Sequence, residues 1–314
     1  MNEAIDTHAC QTAVNASRHP ALSVVVPAYN SARTIERCLM ALRTQQTALQ
    51  FEVIVVDSGL DDTALQAQRV LPQARIIQRT ERTTPGEARN IGAAAARGDV
   101  LGFVDSDTCP APDWVETAYH AIASGSDVVC GSVANANPHS AVSRAEELLM
   151  FNEFLTDSPR GPRWFAVSAN MAVRRDVFER AGGFPDWRGA EDVAFSRRVV
   201  GAGGSIEFLP ELRVLHDNRT DLRPFLRNQL MIGRYTARAR REVPFADTGS
   251  FALFLLLLPL APLAKLSKII IRLALGNPRR LLGLMREFPI FAMGLFAYCG
   301  GLVLGTLRPR DARP

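Results

Sequence analysis

VLGFVDSDT (100–108) decides the fold. Five apolar residues in an unbroken run fit a strand buried on both faces, and such strands belong to parallel sheets covered by helices. The run ends abruptly in Asp105-Ser106-Asp107. Upstream the pattern recurs: LSVVVP (22–27), FEVIVV (51–56) and ARIIQ (74–78) are short apolar runs, separated by helix-like segments over 32–45 and the alanine-rich 86–97 that follows Pro85-Gly86. Alternation of this kind specifies an α/β fold. In open α/β sheets ligands bind outside the carboxyl ends of the strands. The polar signals gather there: Tyr29 and Asn30 after the first strand, Asp57 after the second, Asp105 and Asp107 after the fourth.

Two carboxylates two residues apart repel each other unless a cation or a hydrogen-bonded ligand lies between them. One or two carboxylates together with substrate phosphates form the usual protein site for Mg²⁺ or Mn²⁺. Taken alone, however, Asp-x-Asp reads as a turn capping the helix that begins near Pro112, and the surrounding segments have to decide.

SVVVPAYN (23–30), VIVVDSGLDDT (53–63), PGEARNIGAAAARGDVLGFVDSDT (85–108) and AGGFPDWRGAEDVAFSRRVVGAGG (181–204) occur in that order. Together they resemble the inverting, nucleotide-sugar-dependent glycosyltransferases of family 2, which have the GT-A fold, over roughly residues 22–218. The resemblance implies a mixed, mainly parallel sheet with helices on both faces. It also implies a nucleoside pocket lined by Pro27, Tyr29, Asn30 and Asp57, with Arg89 near the base and Asp105 by the ribose. Asp107 would hold a Mg²⁺ or Mn²⁺ ion on the diphosphate, and His216, in VLH, matches a histidine near that diphosphate and metal. Asp192 of the Glu191-Asp192 pair matches the catalytic base, and Trp187 an aromatic beside the acceptor pocket. Leu60 stands where the family usually has Ser, and Ser31-Ala32-Arg33 where an acid often follows Tyr-Asn. The chemistry needs a carboxylate that takes the acceptor hydroxyl's proton as that oxygen attacks the anomeric carbon. The residues by themselves also fit two acids placed at a helix N-terminus for its dipole, with Arg197 or Arg198 assisting or pairing with Asp192.

At 314 residues, 47% apolar and 22% charged, the chain is neither collagen-like, disordered nor a disulfide scaffold. Its net charge of +4 hides an asymmetry: residues 1–212 carry 19 basic and 26 acidic side chains, residues 213–314 carry 17 and 6. An acidic body on a basic, apolar tail suggests attachment to an anionic surface. Cys10, Cys38, Cys109, Cys130 and Cys299 show no CxxC pair and no His at metal-ligand spacing, which reads as reduced thiols. The N-terminal extension 1–20 contains Glu3 and Asp6 and no apolar run, so no secretory signal is expected and the body is placed on the cytoplasmic face of the cell membrane.

Residues 288–307, FPIFAMGLFAYCGGLVLGTL, carry no charge and have the length of one spanning helix. Residues 250–264 are broken by Pro259 and Pro262, and reach spanning length over 250–271 only if Lys265 and Lys268 snorkel to the interface. Two crossings would put the six basic residues of 265–287 outside, against the positive-inside tendency. The expected arrangement is therefore a re-entrant or in-plane 250–271 followed by one span at 288–307, with a two-span hairpin as the alternative. Seven arginines between 219 and 241 read as a basic interfacial helix, 219–249, facing anionic lipids or a lipid diphosphate; sparse aromatic interleaving argues against nucleic acid. Gln229 lies five residues before Arg234, so the Gln-x-x-Arg-Trp signature of processive synthases is absent. The chain thus reads as a 21–218 domain moving one sugar, from a UDP-linked donor, to a lipid-linked or envelope-glycan acceptor. Its tail, 250–314, reads as a separable membrane-associated region whose removal from residue 245 leaves a folding domain. A polyprenyl-phosphate glycosyl synthase and a catalytically silent nucleotide-binding membrane adaptor are the other readings.

Overall fold

Apolar runs become central strands here because both of their faces are covered. In the computed structural model, which describes residues 19–242 and 256–307, β1 (Leu22–Ala28), β2 (Phe51–Asp57), β3 (Arg75–Gln78) and β4 (Val100–Val104) pair in parallel in the order β3-β2-β1-β4. Between and after them run α1 (Ile35–Arg43), α2 (Thr63–Val70) and α3 (Pro85–Ala95). Helix α3 starts where the sequence puts its punctuation: Thr84 Oγ1 accepts from the Glu87 amide at 3.2 Å, with Pro85 in the first turn. The extension up to residue 18 and the start of the apolar 250–271 stretch lie outside the described residues.

The second half of the sheet is less regular. It comprises β5 (Thr108–Pro110), β6 (Val128–Asn135), β7 (Gly161–Pro162), β8 (Asn170–Arg174) and β9 (Ile206–His216), with α4 (Trp114–Ala123), α5 (Ala141–Phe151), α6 (Arg175–Arg180) and α7 (Glu191–Gly201) around them. Strand β8 inserts antiparallel between β4 and β6, making the sheet mixed but mainly parallel. Strand β9 runs parallel to β6, slips register between Gly131 and Ser132, and then pairs antiparallel with β5. The slip is fixed by close approach, since a Cβ on Gly131 would lie 1.7 Å from the Leu212 carbonyl oxygen. Buried Asn170 donates to that same oxygen at 2.8 Å and to the Ser132 carbonyl at 3.0 Å, and accepts from Trp114 Nε1 at 2.7 Å. This irregularity carries β9 on to set His216 opposite Thr108.

The tail packs onto the domain. It forms α8 (Leu222–Glu242), α9 (Ala261–Gly276) and α10 (Pro278–Leu307). Leu148, Leu149, Phe225, Ile269, Leu273, Leu284, Phe291 and Leu295 build one buried cluster from α5, α8, α9 and α10. Ion pairs tie the same elements: Arg144 with Glu287, Arg272 with Glu153 at 2.8 Å, and Arg280 with both Glu147 and Asp157 at 2.9 Å. Truncation at residue 245 would expose Phe225 and Leu149 and strip buried Glu147 of its partner, a change of the kind that costs several kcal/mol. The region from residue 261 packs into the folded body, and α8, expected to be interfacial, buries Phe225, Gln229, Gly233, Tyr235, Ala237 and Ala239 on one face. Among the described residues one helix, α10, is long and apolar enough to cross a membrane by length and composition.

Candidate active site

The carboxyl ends of β1, β2 and β4 open onto one cavity of about 1240 Å³. Pro27, Tyr29, Asn30, Arg89, Asp105, Asp107, Asp192 and His216 all line it. Asp57 does not. It sits in register with Ala28, is 3% exposed, and accepts from the Gly59 amide at 2.9 Å, with burial raising its carboxyl pKa. Its neighbour Ser58 reaches the cavity instead, hydrogen-bonded to Thr83 Oγ1 at 3.0 Å. Tyr29 is half-exposed with the Arg82 guanidinium 4.0 Å from its ring centre, a flat cationic platform at the mouth. Leu60 is 94% exposed, so the departure from the family's Ser points into solvent, while its amide donates to Asn30 Oδ1 at 3.0 Å.

A buried guanidinium joins the two acidic halves of the cavity. Arg89 reaches Asp105 Oδ1 at 2.5 Å through Nη2 and Glu191 Oε1 at 2.7 Å through Nη1. At 3% exposure Arg89, expected near the nucleotide base, lines the cavity with its guanidinium committed to these two carboxylates. Glu191 is buried, and burial together with the adjacent Asp192 pushes its carboxyl up to about 7, against the pull of Arg89. Asp192 is also raised by burial, with Arg89 opposing. Its Oδ1 accepts from the Val193 amide at 2.8 Å and its Oδ2 from the Ser168 amide at 3.3 Å. A carboxylate held by two backbone donors and facing a large cavity is positioned for proton transfer.

Asp107 and His216 form the other acidic corner. The β5–β9 pairing brings His216 Nε2 within 3.6 Å of Asp107 Oδ1. His216 Nδ1 lies 2.7 Å from Asn218 Oδ1, an acceptor, which places a proton on Nδ1 and turns Nε2 toward Asp107. Burial raises the Asp107 carboxyl; His216 opposes and Asp105 adds to the rise. One carboxylate and one imidazole are a donor set that suits Mn²⁺ and, less well, Mg²⁺. Among the described residues no group of three or more His, Cys, Asp or Glu could hold a metal, so ligand oxygens would have to complete the shell.

Away from these acids the cavity runs between α8, α9 and α10, where Ile232, Ala261, Ile269 and Leu302 give apolar walls and Lys265 and Lys268 add charge. Lys265 Nζ sits 3.6 Å above the Tyr298 ring. Trp187 does not take the expected place beside the pocket. Trp187 is buried with Ala194, Tyr235 and Ala239 and lies outside the cavity wall, whereas Trp164 lines it, its Nε1 3.2 Å from Glu153 Oε2. Arg198 bonds the Gly183 carbonyl, and Arg197 lies 5.6 Å from the Trp164 ring. Arg82, Thr83 and Ser168 were not singled out by motif; the first two follow β3, so the strand-end rule that found Asp57 also pointed at them.

The glycosyl transferase family 2 profile matches residues 23–182. Glycosyltransferase AglE of Haloferax volcanii is 31% identical over 225 residues, 68% of this chain and 72% of that protein. The pre-mycofactocin glycosyltransferase of Mycobacterium tuberculosis is 26% identical over 229 residues, and the match spans 46% of its length. Among solved structures, the mannosyltransferase PcManGT from Pyrobaculum calidifontis, in complex with GDP-Man and Mn²⁺, superposes with a TM-score of 0.63 at 21% identity, covering 93% of this chain and 88% of that one. Residues 1–349 of S. aureus TarS, with UDP-GlcNAc, give 0.51 at 21% identity over 90% of each chain. These structures share the GT-A arrangement of sheet and helices seen here. With its matched profile, its similar relatives and its strand-end acids, the chain belongs to glycosyl transferase family 2 and is a glycosyltransferase.

Proposed function

We propose that this enzyme moves a single sugar, with inversion, from a nucleotide-sugar to a hydroxyl of a lipid-linked or envelope-glycan acceptor at the cytoplasmic face of a membrane. The reading is carried by one observation: the strand-end acids Asp105 and Asp107 and the helix-start acid Asp192 border a single cavity. Neighbours of the same fold hold GDP-Man with Mn²⁺ and UDP-GlcNAc, which supports a nucleoside-diphosphate donor; UDP-sugars are the first to test. Tyr29 and Arg82 offer the stacking platform for the base. Asp107 and His216 would hold Mg²⁺ or Mn²⁺, which when bound stabilises charge developing on the leaving diphosphate. Asp192, fixed by the Ser168 and Val193 amides, takes the proton from the acceptor hydroxyl. Attack from the side opposite the diphosphate in a single displacement gives inversion. The apolar arm with its lysines suits an acceptor bearing a lipid and a phosphate.

The test is Asp192→Asn, which keeps size and the amide hydrogen bonds but cannot accept a proton. Transfer should fall ~10²–10⁴-fold with donor affinity nearly unchanged, and Glu191→Gln should cost less. Equal, small losses in both would make the pair structural and overturn the assignment. The lysines favour one second reading, in which the nucleophile is a phosphate oxygen, as in a polyprenyl-phosphate glycosyl synthase. That acceptor is already ionised, so Asp192→Asn would then retain most activity.

A further inference from the structure

We propose that α9 and α10 lie in the plane of one leaflet of an anionic bilayer, their outer apolar face submerged, with no part of 261–307 crossing; this rests on the membrane attachment proposed above. The expected span at 288–307 conflicts with what α10 touches. Its buried stripe, Leu284, Phe291, Leu295, Cys299, Leu302 and Gly305, runs along nearly the whole helix. At 1.5 Å per residue that is about 31 Å, the full thickness of a hydrocarbon core. A spanning α10 would drag its partners into lipid along that entire length.

Those partners are charged. Over its C-terminal half α10 packs on α8 so closely that a Cβ on Gly301 would lie 2.0 Å from the Leu230 carbonyl oxygen, one on Gly233 1.9 Å from the Tyr298 oxygen, and one on Gly305 2.3 Å from the Arg234 oxygen. Arg241 donates to the Thr306 carbonyl at 3.1 Å. The stretch of α8 beside 294–306 carries Arg227, Arg234, Arg238, Arg240 and Arg241. Near its start, α10 holds buried Glu287 against Arg144 of α5. Arginines and ion pairs at bilayer depth are costly and rare, so a crossing would have to break the α8–α10 packing.

Among the described residues, nothing covers the opposite face of α10. Leu282, Met285, Phe288, Met293, Phe296 and Leu307 recur at helical spacing and are exposed. Such a patch exceeds what water-soluble surfaces usually leave open. Its flank is basic, with Lys268 and Arg279 exposed and Arg286 82% exposed, and the whole of 213–314 carries the chain's excess positive charge. Apolar face and cationic rim together match an anionic leaflet. In this pose the Lys265–Lys268 end of the cavity opens at headgroup level.

The experiment uses the full chain in a bacterial host with cysteine reporters read above the parent's background. Green fluorescent protein and alkaline phosphatase are fused in turn after Pro314, and Arg279→Cys, between α9 and the middle of α10, is probed with a membrane-impermeant maleimide. The expected result is protein in the membrane fraction, a fluorescent fusion, an inactive phosphatase, and labelling of Arg279→Cys only after lysis. An active phosphatase means one crossing; labelling in intact spheroplasts means a two-span hairpin; either overturns the proposal. Protein that stays in the soluble fraction refutes the membrane attachment itself, which is a different failure. Purified protein should also sediment with vesicles containing anionic lipid, and Met285→Glu with Phe296→Glu should lower that partitioning at least ~10-fold at an unchanged melting temperature. Unchanged partitioning, or a vesicle-free dimer that the double variant dissolves, would assign the face to something other than lipid.

Discussion

Gly301→Ala and Gly300→Ala are neighbouring substitutions in one helix that should have opposite effects. A Cβ on Gly301 would stand 2.0 Å from the Leu230 carbonyl oxygen, about 1.3 Å closer than a carbon–oxygen contact tolerates. Two backbones meet there, so no side chain can swing away and α8 and α10 must separate. A gap of that order forfeits a quarter to a half of the dispersion contacts along the seam, and overpacking of this kind costs about 1–3 kcal/mol. At Gly300 the new Cβ meets only Leu230 Cδ1 at 3.6 Å, an ordinary contact. Both changes gain the same helix propensity, up to about 1 kcal/mol, so the difference between them isolates the seam. Gly283, with open space around it, is a third control. In thermal melts of the detergent-solubilised full chain, Gly301→Ala should unfold several degrees below Gly300→Ala, at roughly 2–4 °C per kcal/mol, while Gly300→Ala and Gly283→Ala melt at or above the parent. Tyr298 and Leu302 line the cavity from the same seam, so Gly301→Ala should also weaken acceptor use. If Gly301→Ala and Gly300→Ala melt within a degree of each other, the close crossing is wrong, and so is the case against a spanning α10.

With Asp192 as the proposed base, the acid limb of kcat/KM should lie above the ordinary carboxylate range, because burial raises Asp192 and a base works only when ionised. Activity is therefore lost as pH falls through the raised value, and Glu191→Gln, which leaves Arg89 with one carboxylate fewer, should move that limb downward. Chelation with EDTA should abolish transfer and Mn²⁺ or Mg²⁺ restore it; full activity in metal-free buffer would return Asp105 and Asp107 to the status of a turn. Asn218→Leu should raise the metal concentration giving half activity ~10–100-fold by freeing the His216 tautomer, and an unchanged titration would remove His216 from the metal site. Arg89→Met should destabilise the fold by about 3–5 kcal/mol by leaving Glu191 buried without its partner, read as a shift in the denaturation midpoint.

What was legible in the sequence was local. Val24, Ile54 and Leu101 sit in unbroken apolar runs because their strands are covered on both faces, and the acids after those runs are at the carboxyl edge by construction. Long-range register was not legible. His216 meets Asp107 only because β9 slips past Gly131 and then turns to β5, and nothing near VLH encodes that slip. Trp187 and Trp164 are indistinguishable by type, and only packing decides that α8 covers Trp187 while Trp164 lines the cavity. The packing of the tail was not legible, for a physical reason. A helix apolar all round hides which stripe is buried, and the signal that does survive, Gly294, Gly301 and Gly305, marks close helix packing in water and in lipid alike.

Backbone strain supports the same location for the chemistry. Among the described residues only Asn30, at φ 51°, and Ala190, at φ 58°, adopt positive φ without being glycine, and both line the cavity. Asn30 is partly compensated, since its side-chain oxygen accepts from the Leu60 amide and so braces the turn after β2. Ala190 has no side chain with which to recover the cost, of order 1 kcal/mol. It is the residue before Glu191, at the start of α7, and its left-handed turn sets the direction in which that helix enters the cavity wall. With that turn, the Val193 amide closes on Asp192 Oδ1 and Glu191 reaches back to Arg89. Strain of this kind persists only where the surroundings over-determine it, and here the surroundings are the buried Arg89 bridge on one side and the Trp187–Tyr235–Ala239 cluster on the other. Helix α8 is thus more than a support for the apolar arm: by covering Trp187 it helps hold the turn that aims Asp192.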